Sequence, residues 1–484
     1  MKQLDLFGAT PPNTTDRPFS VVDLFCGGGG SSEGIRQALG CDPIVALNHN
    51  KHAIQTHKLN HPRTHHAEQD VFQMDPRATL IELGVMDLDL LWASPDCVHF
   101  SRARGSKPME GGRRALAESL IPWARDVRPR FIMIENVAEF LTWGPLNKDG
   151  TPNKRRAGEF FEAWIAELES FGYSIEWRQL KASDYGEATS RVRLFIICAR
   201  QGEEIRWPEI THGPTTSTPY RSAAECVNWS HKANSIFGRK KALAPKTLAR
   251  VAKGIERYVL NCEAPYIVPS GEDSQAPFLA PRYGERPTQA PRTHSIQDPT
   301  PTIVPTGNST RLASMVMKNY GGMVGNHPSK PFGAITARDS HGLATASLVA
   351  YYGTCKDGQG LRDPLRTITT KGRFGLVETI LGTEATDIAR EAGAFLAEHC
   401  GVTLDSEGLA HVTVEGTDYV VTDIGMRMMQ PDELAAAMGF PETYQWPGSK
   451  TEQTARIGNA VPVRVAAALA SANLRAVAAV RQAS

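Results

Sequence analysis

The chain has no run of about 18 consecutive apolar residues, the length that a membrane-spanning helix needs. Its first residues, from Met1 to Phe7, lack the apolar core of a secretory signal peptide. The 8 cysteines are scattered without a CxxC pair. This scatter argues against a zinc site or a disulfide framework and favours a reducing compartment. We therefore expect a cytoplasmic protein with no membrane contact and no metal site.

Net charge is also nearly absent. The 53 Lys and Arg residues are balanced by 52 Asp and Glu residues, for a formal net charge of +1. Any surface for nucleic acid must therefore be a local patch. The hydrophobic content of 41% and charged content of 22% are typical of a soluble globular protein. At 484 residues the chain is too long for one ordinary core, which predicts two domains with a long insertion.

The chain changes in texture along its length, beginning with a polar, proline-containing lead at residues 1–17. Over residues 18–212, short apolar runs alternate with helical patterns at Glu33–Leu39 and Glu159–Phe171. This alternation is typical of a parallel α/β sheet, in which ligands bind at the carboxyl ends of the strands. The predicted strands are Ser20–Phe25, Pro43–Asn48, Leu88–Ala93, Phe131–Glu135, Ser174–Lys181 and Arg193–Ala199.

Residues 213–421 are dense in proline, glycine, serine and threonine, and strand no longer alternates with helix. An irregular repeat recurs here: a proline-bearing turn, a short strand-like segment and then a leucine. Such spacing predicts a β-rich module. Internal duplication for structure alone and a surface of loops that reads a ligand both explain the repeat. The strand-like segments are Pro301–Val304, Gly333–Thr336 and Arg366–Thr369, and the leucines are Leu312, Leu343 and Leu376.

A basic segment, Gly238–Lys253, precedes the repeat and contains no acidic residue. Leu248, Val251 and Ile255 supply one apolar helical face, so the cations lie largely on the opposite face. A solvated helix face is one explanation and contact with nucleic-acid phosphates is the other.

Short segments at the predicted strand-to-loop junctions carry residue types used in catalysis. Asp23–Gly30 reads Asp-Leu-Phe-Cys-Gly-Gly-Gly-Gly directly after a strand. Such glycines let the backbone pass close to a ligand and turn into a helix, although a glycine-rich turn without a ligand is the alternative. The other segments, in chain order, are Ala93–Ser101 (Ala-Ser-Pro-Asp-Cys-Val-His-Phe-Ser), Ile134–Val137, Ser190–Phe195 and Arg456–Pro462.

This order of segments resembles that of the DNA cytosine-5 methyltransferases of bacterial and phage type, over residues 20–200 and 425–470. The resemblance implies an α/β fold: an S-adenosylmethionine-dependent, Rossmann-like methyltransferase domain with an inserted β-rich target-recognition domain. It places target recognition in residues 213–421. It also implies that residues 422–484, with helical spacing at Pro431–Met438 and Val463–Val480, fold back onto the first domain.

The resemblance assigns a set of residues to the methyl donor, S-adenosylmethionine. Phe25 would pack on the adenine, and Gly27 and Gly29 would shape the loop around the methionine end. Asp70 matches the position that reads the adenine amino group. Asn48 stands at the position where the family carries an acidic residue that binds the ribose hydroxyls. Its amide can still form a hydrogen bond there but brings no charge. The predicted cofactor-binding residues are Asp23, Phe25, Gly27, Gly29, Asn48, Asp70, Pro95 and Asn459.

Cys97 is the predicted nucleophile. A thiolate that adds at carbon 6 of cytosine makes an enamine, whose carbon 5 can attack an electrophilic methyl group. Cysteine suits this role because its thiolate is nucleophilic and leaves readily. A lone cysteine is otherwise more often a buried structural residue. The loop departs from the family's Pro-Pro-Cys-Gln at Asp96 and Val98, and a nearby inward-pointing carboxylate disfavours a thiolate.

Glu135 and two arginines complete the predicted catalytic set. Glu135 would share a proton with N3 of the cytosine and relieve the charge of nucleophilic addition, although a helix cap or loop charge is the alternative. Arg193 would hold the cytosine carbonyl oxygen, with Arg191 supporting the loop or a phosphate. Thr189 replaces the glutamine of the family motif.

The sequence thus predicts a DNA (cytosine-5-)-methyltransferase acting on a flipped base, with double-stranded DNA as its partner. A nucleoid-associated location and a cognate restriction endonuclease belong to this interpretation. An RNA cytosine-5 methyltransferase and a catalytically silent DNA-binding homologue are the alternatives. The long insertion favours DNA, because a duplex is read along its groove. The candidates for base or phosphate contacts there are Arg311, Arg338 and Arg373.

Overall fold

The computed structural model describes residues 17–95, 114–147, 151–231, 233–267, 278–281, 310–313, 343–350, 359–371, 374–382, 385–414 and 417–483. Within these ranges the backbone forms two β-sheets with helices packed against them. The helices are α1 (Gly30–Leu39), α2 (Lys51–Asn60), α3 (Pro76–Glu82), α4 (Glu159–Ser170), α5 (Pro245–Ile255), α6 (Asp387–Cys400), α7 (Pro431–Ala437), α8 (Lys450–Asn459) and α9 (Val463–Ala483).

The first sheet confirms the predicted α/β fold. Its order is β3-β2-β1-β4-β5-β7-β6, and each of the predicted strands lies in it. The additional strand, β3, reads His-His-Ala-Glu and is too short and polar to show a strand pattern. The strands are β1 (Val21–Leu24), β2 (Val45–Asn48), β3 (His65–Glu68), β4 (Leu90–Ala93), β5 (Phe131–Asn136), β6 (Tyr173–Lys181) and β7 (Val192–Arg200).

The predicted parallel arrangement does not extend to β7. Strands β1 to β5 pair in parallel, whereas β7 runs antiparallel to both β5 and β6. The reason is the short connection after β6, which returns the chain as a hairpin with Lys181 opposite Val192. The start of β7 therefore lies at the same edge of the sheet as the carboxyl ends of the parallel strands.

Both faces of this sheet are buried at its central strands β1, β4 and β5, which explains their continuous apolar sequences. Val21, Trp92 and Phe131 belong to one apolar cluster, while Val22, Leu91 and Ile132 belong to another. Helix α9 packs on the first face against α1 and contributes Leu469 to the same cluster as Ile35.

The second sheet is antiparallel throughout its described pairings and has the order β14-β15-β11-β10-β13-β12-β9, with β8 paired to β15. Helices α5 and α6 lie against it. This is the β-rich module that the composition predicted. Its strands are β8 (Asn234–Ser235), β9 (Tyr266–Ile267), β10 (Phe278–Pro281), β11 (Thr310–Ala313), β12 (Leu343–Ala350), β13 (Phe374–Gly382), β14 (His411–Val414) and β15 (Thr417–Met428).

The predicted repeat corresponds to this sheet only through its leucines. Leu312, Leu343 and Leu376 lie in β11, β12 and β13, and Leu279 of β10 pairs with both Leu312 and Leu376. The repeat segments Pro301–Val304 and Gly333–Thr336 lie outside the described residues.

The third repeat segment, Arg366–Thr369, is buried but is not a strand, so that prediction is wrong. The residue before it, Leu365, forms an isolated bridge with Thr189 and accepts a hydrogen bond from the Ser190 N–H at 3.0 Å. The chain here is therefore bonded to the loop between β6 and β7.

The second sheet continues past residue 421, where we predicted a domain boundary, because β15 pairs with β13 as far as Met428. Among the described residues, no helix has the length and apolar character that crossing a membrane requires.

Candidate active site

The segment after β1 makes a tight turn, which we call the glycine loop (Phe25–Gly30). Phe25, Gly27 and Gly29 have φ values of 61°, 52° and 84°, in the left-handed region that favours glycine. A Cβ on Gly29 would lie 2.2 Å from the hydroxyl oxygen of Tyr444. No side chain larger than hydrogen fits at Gly29, so the backbone itself forms the surface there.

Asp23 lies beneath the glycine loop rather than on its outer surface, because its side chain is fully buried. Its Oδ2 accepts hydrogen bonds from the hydroxyls of Ser31 and Ser32, each at 2.6 Å. Burial raises the pKa of Asp23 to about 6, against the opposing effect of these hydrogen bonds. Asp23 thus holds the first turn of α1 against the end of β1.

Asn48 is the last residue of β2 and Asp70 follows β3, so both lie at the carboxyl edge beside the glycine loop. Asn48 Oδ1 accepts the Asn50 N–H at 2.9 Å, and Asp70 Oδ1 accepts the Phe72 N–H at 3.0 Å. Asn48 is half-buried and Asp70 is exposed. An amide and a carboxylate are therefore accessible at this edge.

The predicted nucleophile Cys97 lies outside the described residues, as do Asp96 and Val98. Pro95, the last described residue before it, is buried, and its carbonyl accepts a hydrogen bond from Asn136 Nδ2 at 3.4 Å. This bond connects the start of the Cys97 segment to the end of β5.

Glu135 and the two predicted arginines form a buried ionic cluster at the same edge. Glu135 Oε1 lies 3.2 Å from Arg193 Nε and 3.8 Å from Arg191 Nη2. Glu135, Arg191 and Arg193 are only 7%, 3% and 6% exposed. Burial raises the pKa of Glu135, while the positive charges of Arg193 and Arg191 oppose that rise. The antiparallel direction of β7 is what brings these arginines to Glu135.

Helix α8 contacts both the glycine loop and the ionic cluster of Glu135, Arg191 and Arg193. Arg191 Nη1 donates to the Gly458 carbonyl at 3.1 Å, and a Cβ on Gly28 would lie 3.0 Å from the Arg456 carbonyl oxygen. Asn459, the last residue of α8, is exposed beside this contact. Among the described residues, no group of three or more His, Cys, Asp or Glu side chains is arranged to hold a metal ion.

Sequence reasoning missed a group of histidines under the glycine loop, which we call the histidine cluster (His57, His61 and His66). The rings of His57 and His61 lie 4.5 Å apart, and those of His57 and His66 lie 5.0 Å apart. The i, i+4 spacing of His57, on α2, and His61, which caps the end of that helix, was a visible signal. Nothing in the local sequence connects them to Tyr444, whose ring lies 6.1 Å from that of His61.

Comparison with known proteins shows which family the chain resembles. The family model described as C-5 cytosine-specific DNA methylase matches residues 19–253 and 356–475. The gap between these two matched ranges therefore falls within the second sheet and the residues around it.

Individual relatives match over different lengths. The Type II methyltransferase M.AgeI of Thalassovita gelatinovora is 27% identical over 466 residues, covering 93% of this chain and 98% of that protein. M.AquIA of Picosynechococcus sp. is 27% identical over 229 residues, covering 43% of this chain and 87% of that protein. The structure of the Entamoeba histolytica methyltransferase EhMeth aligns with a TM-score of 0.46 at 13% identity, covering 95% of this chain and 98% of that one.

The two ranges matched by the family model make up more than half of the chain and include the glycine loop, Cys97 and the Glu135 cluster. The chain therefore belongs to the C-5 cytosine-specific DNA methylase family.

Proposed function

We propose that this protein transfers the methyl group of S-adenosylmethionine to carbon 5 of cytosine in double-stranded DNA, through a covalent bond between Cys97 and carbon 6. The observation that carries this proposal is the buried cluster of Glu135, Arg191 and Arg193 at the sheet edge that also holds the glycine loop.

The glycine loop, Asn48 and Asp70 fit S-adenosylmethionine. The left-handed turn at Gly27 and Gly29 leaves bare backbone where a ligand can approach closely. Asn48 supplies an amide for the ribose hydroxyls, and Asp70 supplies a carboxylate acceptor for the adenine amino group. When bound there, S-adenosylmethionine supplies an electrophilic methyl group.

Cys97 and Glu135 divide the work on the cytosine ring. The Cys97 thiolate forms a bond to carbon 6, and the electron pair displaced toward carbon 5 makes that carbon the nucleophile. Glu135 holds a proton at N3, where the ring gains negative charge, and its burial favours the protonated carboxyl that this role needs. Carbon 5 would then take the methyl group, with the electron pair of the broken sulfur–methyl bond left on the donor's sulfur. Transfer of the carbon 5 proton to water, return of the N3 proton to Glu135 and departure of the Cys97 thiolate would restore the aromatic ring.

Arg193 and Arg191 orient these groups. Arg193 lies next to Glu135 and holds the cytosine carbonyl oxygen, while Arg191 holds the loop to α8 through Gly458. Since Glu135 and both arginines are buried, a cytosine within a stacked duplex cannot reach them. The base must be flipped out of the helix.

Residues 213–421 are proposed to read the target sequence. They contain most of the second sheet and the whole interruption in the family match. Arg311 lies in β11, whereas Arg338 and Arg373 lie outside the described residues.

On α5, Arg250 is buried and Lys253 pairs with Glu256 at 2.6 Å. Phosphate contact by the basic segment therefore rests on its exposed lysines Lys240, Lys241 and Lys246.

A role in restriction–modification follows from the relatives, since M.AgeI and M.AquIA are both named Type II methyltransferases. We propose a cytoplasmic enzyme that acts on nucleoid DNA and protects it from a cognate restriction endonuclease. Bisulfite sequencing of DNA from cells that express the protein would identify the protected site.

Covalent catalysis is tested with duplex DNA that carries 5-fluorocytosine at the methylated site. The fluorine replaces the proton whose loss releases the enzyme, so wild-type protein should remain attached to the DNA through denaturing electrophoresis. Cys97→Ala should abolish both attachment and methylation, and Cys262→Ala, at a half-buried cysteine of the second module, should retain both. Methylation by Cys97→Ala would exclude Cys97 as the nucleophile. A methylation assay with labelled S-adenosylmethionine and RNA in place of DNA tests the alternative that RNA is the substrate.

A further inference from the structure

A buried chain of hydrogen bonds connects the histidine cluster to Asp23 beneath the glycine loop. His66 Nε2 lies 2.8 Å from His57 Nδ1, and His57 Nε2 lies 2.8 Å from Ser32 Oγ. Ser32 Oγ lies in turn 2.6 Å from Asp23 Oδ2. His57, Ser32 and Asp23 are each 0% exposed. Solvent therefore cannot replace a partner that is lost from this chain.

The chemistry of the groups sets the direction of each bond. An ionised carboxylate only accepts, so at neutral pH the Ser32 hydroxyl donates to Asp23. Ser32 Oγ then accepts the His57 Nε2–H, and His57 Nδ1 accepts the Nε2–H of His66. A neutral His57 with its proton on Nε2 satisfies all of these bonds. Burial, with the charges of His61 and His66, keeps the pKa of His57 well below its usual value and so maintains this neutral form.

The glycine loop lies directly on the same rings. A Cβ on Gly29 would lie 3.5 Å from both His57 Cδ2 and His61 Nε2, besides its clash with Tyr444. The Tyr444 hydroxyl donates to the Gly28 carbonyl at 2.8 Å and lies 3.5 Å from His61 Nε2. A shift of the His57 ring would therefore displace the loop backbone as well as Ser32.

We propose that His57 is a positioning residue for the donor site. By holding Ser32 and Asp23 it places the glycine loop for S-adenosylmethionine, and it takes no part in methyl transfer. This inference rests on the proposed use of S-adenosylmethionine and adds to it a determinant of donor affinity. Loss of the bond from His57 to Ser32 should weaken donor binding but leave turnover at saturating donor unchanged.

Two amide substitutions separate the two ring nitrogens of His57. In His57→Gln the side-chain amide reaches the position of Nε2 and can still donate to Ser32. In His57→Asn it reaches only the position of Nδ1 and leaves Ser32 Oγ without its donor. We expect His57→Asn to raise the dissociation constant for S-adenosylmethionine about tenfold, as the loss of one buried hydrogen bond does. His57→Gln should stay within about threefold of wild type, and both variants should keep kcat at saturating donor within about twofold.

Calorimetric titration of the whole protein with S-adenosylmethionine gives the affinities, and the melting temperature of each variant shows that it is folded. His52→Asn is the matched control, because His52 lies on the same helix with its ring partly exposed and paired with Glu452 at 3.7 Å. Ser32→Ala should weaken binding as His57→Asn does. The double variant should add little, because the two residues act through one bond.

The outcomes separate this inference from the proposed function. If wild-type protein does not bind S-adenosylmethionine, the proposed donor is wrong. If wild type binds it and folded His57→Asn binds equally well, the inference is overturned. Equal losses in His57→Asn and His57→Gln, or a fall in kcat with an unchanged dissociation constant, overturn it as well. Should His57→Asn be unfolded, an unchanged affinity in Ser32→Ala decides against it.

Discussion

Asn48 is a residue at which the proposed donor site departs from the acidic residue that the family resemblance leads us to expect. It lies at the end of β2, half-buried, with its Oδ1 engaged by the Asn50 N–H. A carboxylate at this position can accept a hydrogen bond from each of two neighbouring hydroxyls, whereas an amide contributes one acceptor and one donor. In the proposed donor site, the ribose would therefore meet a neutral group at residue 48.

We expect Asn48→Glu to tighten S-adenosylmethionine binding by about 0.5–1.5 kcal/mol, the contribution of one hydrogen bond, with turnover largely unchanged. Calorimetric titration measures the change. Asn48→Gln is the control, since it lengthens the side chain without adding charge. An unchanged or weaker affinity in Asn48→Glu would mean that residue 48 does not face the ribose.

Glu187 is a buried carboxyl that connects the loop before β7 to α9. Its Oε1 accepts the Arg464 N–H at 2.6 Å in the first turn of that helix. Burial raises its pKa from 4.5 to about 7, opposed by the positive charges of Arg464 and Arg221. Because the folded pKa is the higher one, the neutral carboxyl stabilises the fold fully below about pH 4.5, and this stability is lost as the pH rises through about 7.

Glu187→Gln keeps an acceptor for the Arg464 N–H but cannot ionise. We expect its unfolding free energy to fall less than that of wild type between about pH 5 and about pH 8, with a difference of up to about 3 kcal/mol. Denaturant unfolding at both pH values gives the comparison. Glu204→Gln, at an exposed carboxylate paired with Arg206, should behave as wild type does. The same pH dependence in wild type and Glu187→Gln would show that Glu187 is already ionised at low pH.

Among the elements, α1 and α9 make a further contact between the C-terminal part of the chain and the segment that begins at the glycine loop. Their backbones meet at Gly34, where a Cβ would lie 2.3 Å from the Val463 carbonyl oxygen and 2.7 Å from Ala466 Cβ. Since α1 begins at the glycine loop, a displacement of α9 there also moves the donor site.

We expect Gly34→Ala to lower the free energy of unfolding by about 1–3 kcal/mol through overpacking, and to weaken donor binding. Alanine would otherwise stabilise a helix by about 1 kcal/mol relative to glycine. A net decrease in the free energy of unfolding would therefore be caused by the clash of the new Cβ with α9. Gln37→Ala, on the exposed face of α1, is the control in urea unfolding. A more stable Gly34→Ala would show that α9 moves away freely.

The elements also show where sequence patterns are sufficient. The apolar strands β1, β4, β5 and β7 were predicted because both of their faces are buried. Strand β3 was missed because it is short and polar. The segment Arg366–Thr369 has the composition of a strand, yet the bonds of Leu365 beside it go to Thr189 and Ser190 in the loop before β7. Composition reports whether a segment can be extended, but not which partner it finds.

At the scale of the whole molecule, the two sheets are proposed to separate chemistry from sequence reading. Exchange of residues 213–428 with the matching region of M.AgeI should transfer that protein's methylation pattern to this chain. The exchange extends to Met428, because β15 pairs with β13 and would lose its partner if cut at residue 421. Bisulfite sequencing reads the pattern, and an exchange confined to α5 serves as the control. An active chimera that keeps the original pattern would leave the second sheet with a structural role only.

The sequence by itself determined the glycine loop, the order of the motifs along the chain and the identity of the candidate catalytic residues. The glycine loop depends on residues that are close together in the chain, where periodicity and residue type suffice, whereas the candidate catalytic residues were named by the resemblance of the ordered motifs to the DNA cytosine-5 methyltransferases. Only the tertiary structure decided that β7 runs antiparallel and so brings Arg191 and Arg193 to Glu135. It also decided that Tyr444 and the histidine cluster support the glycine loop. These contacts join residues far apart in sequence, and the packing of whole elements selects such partners, which no local pattern records.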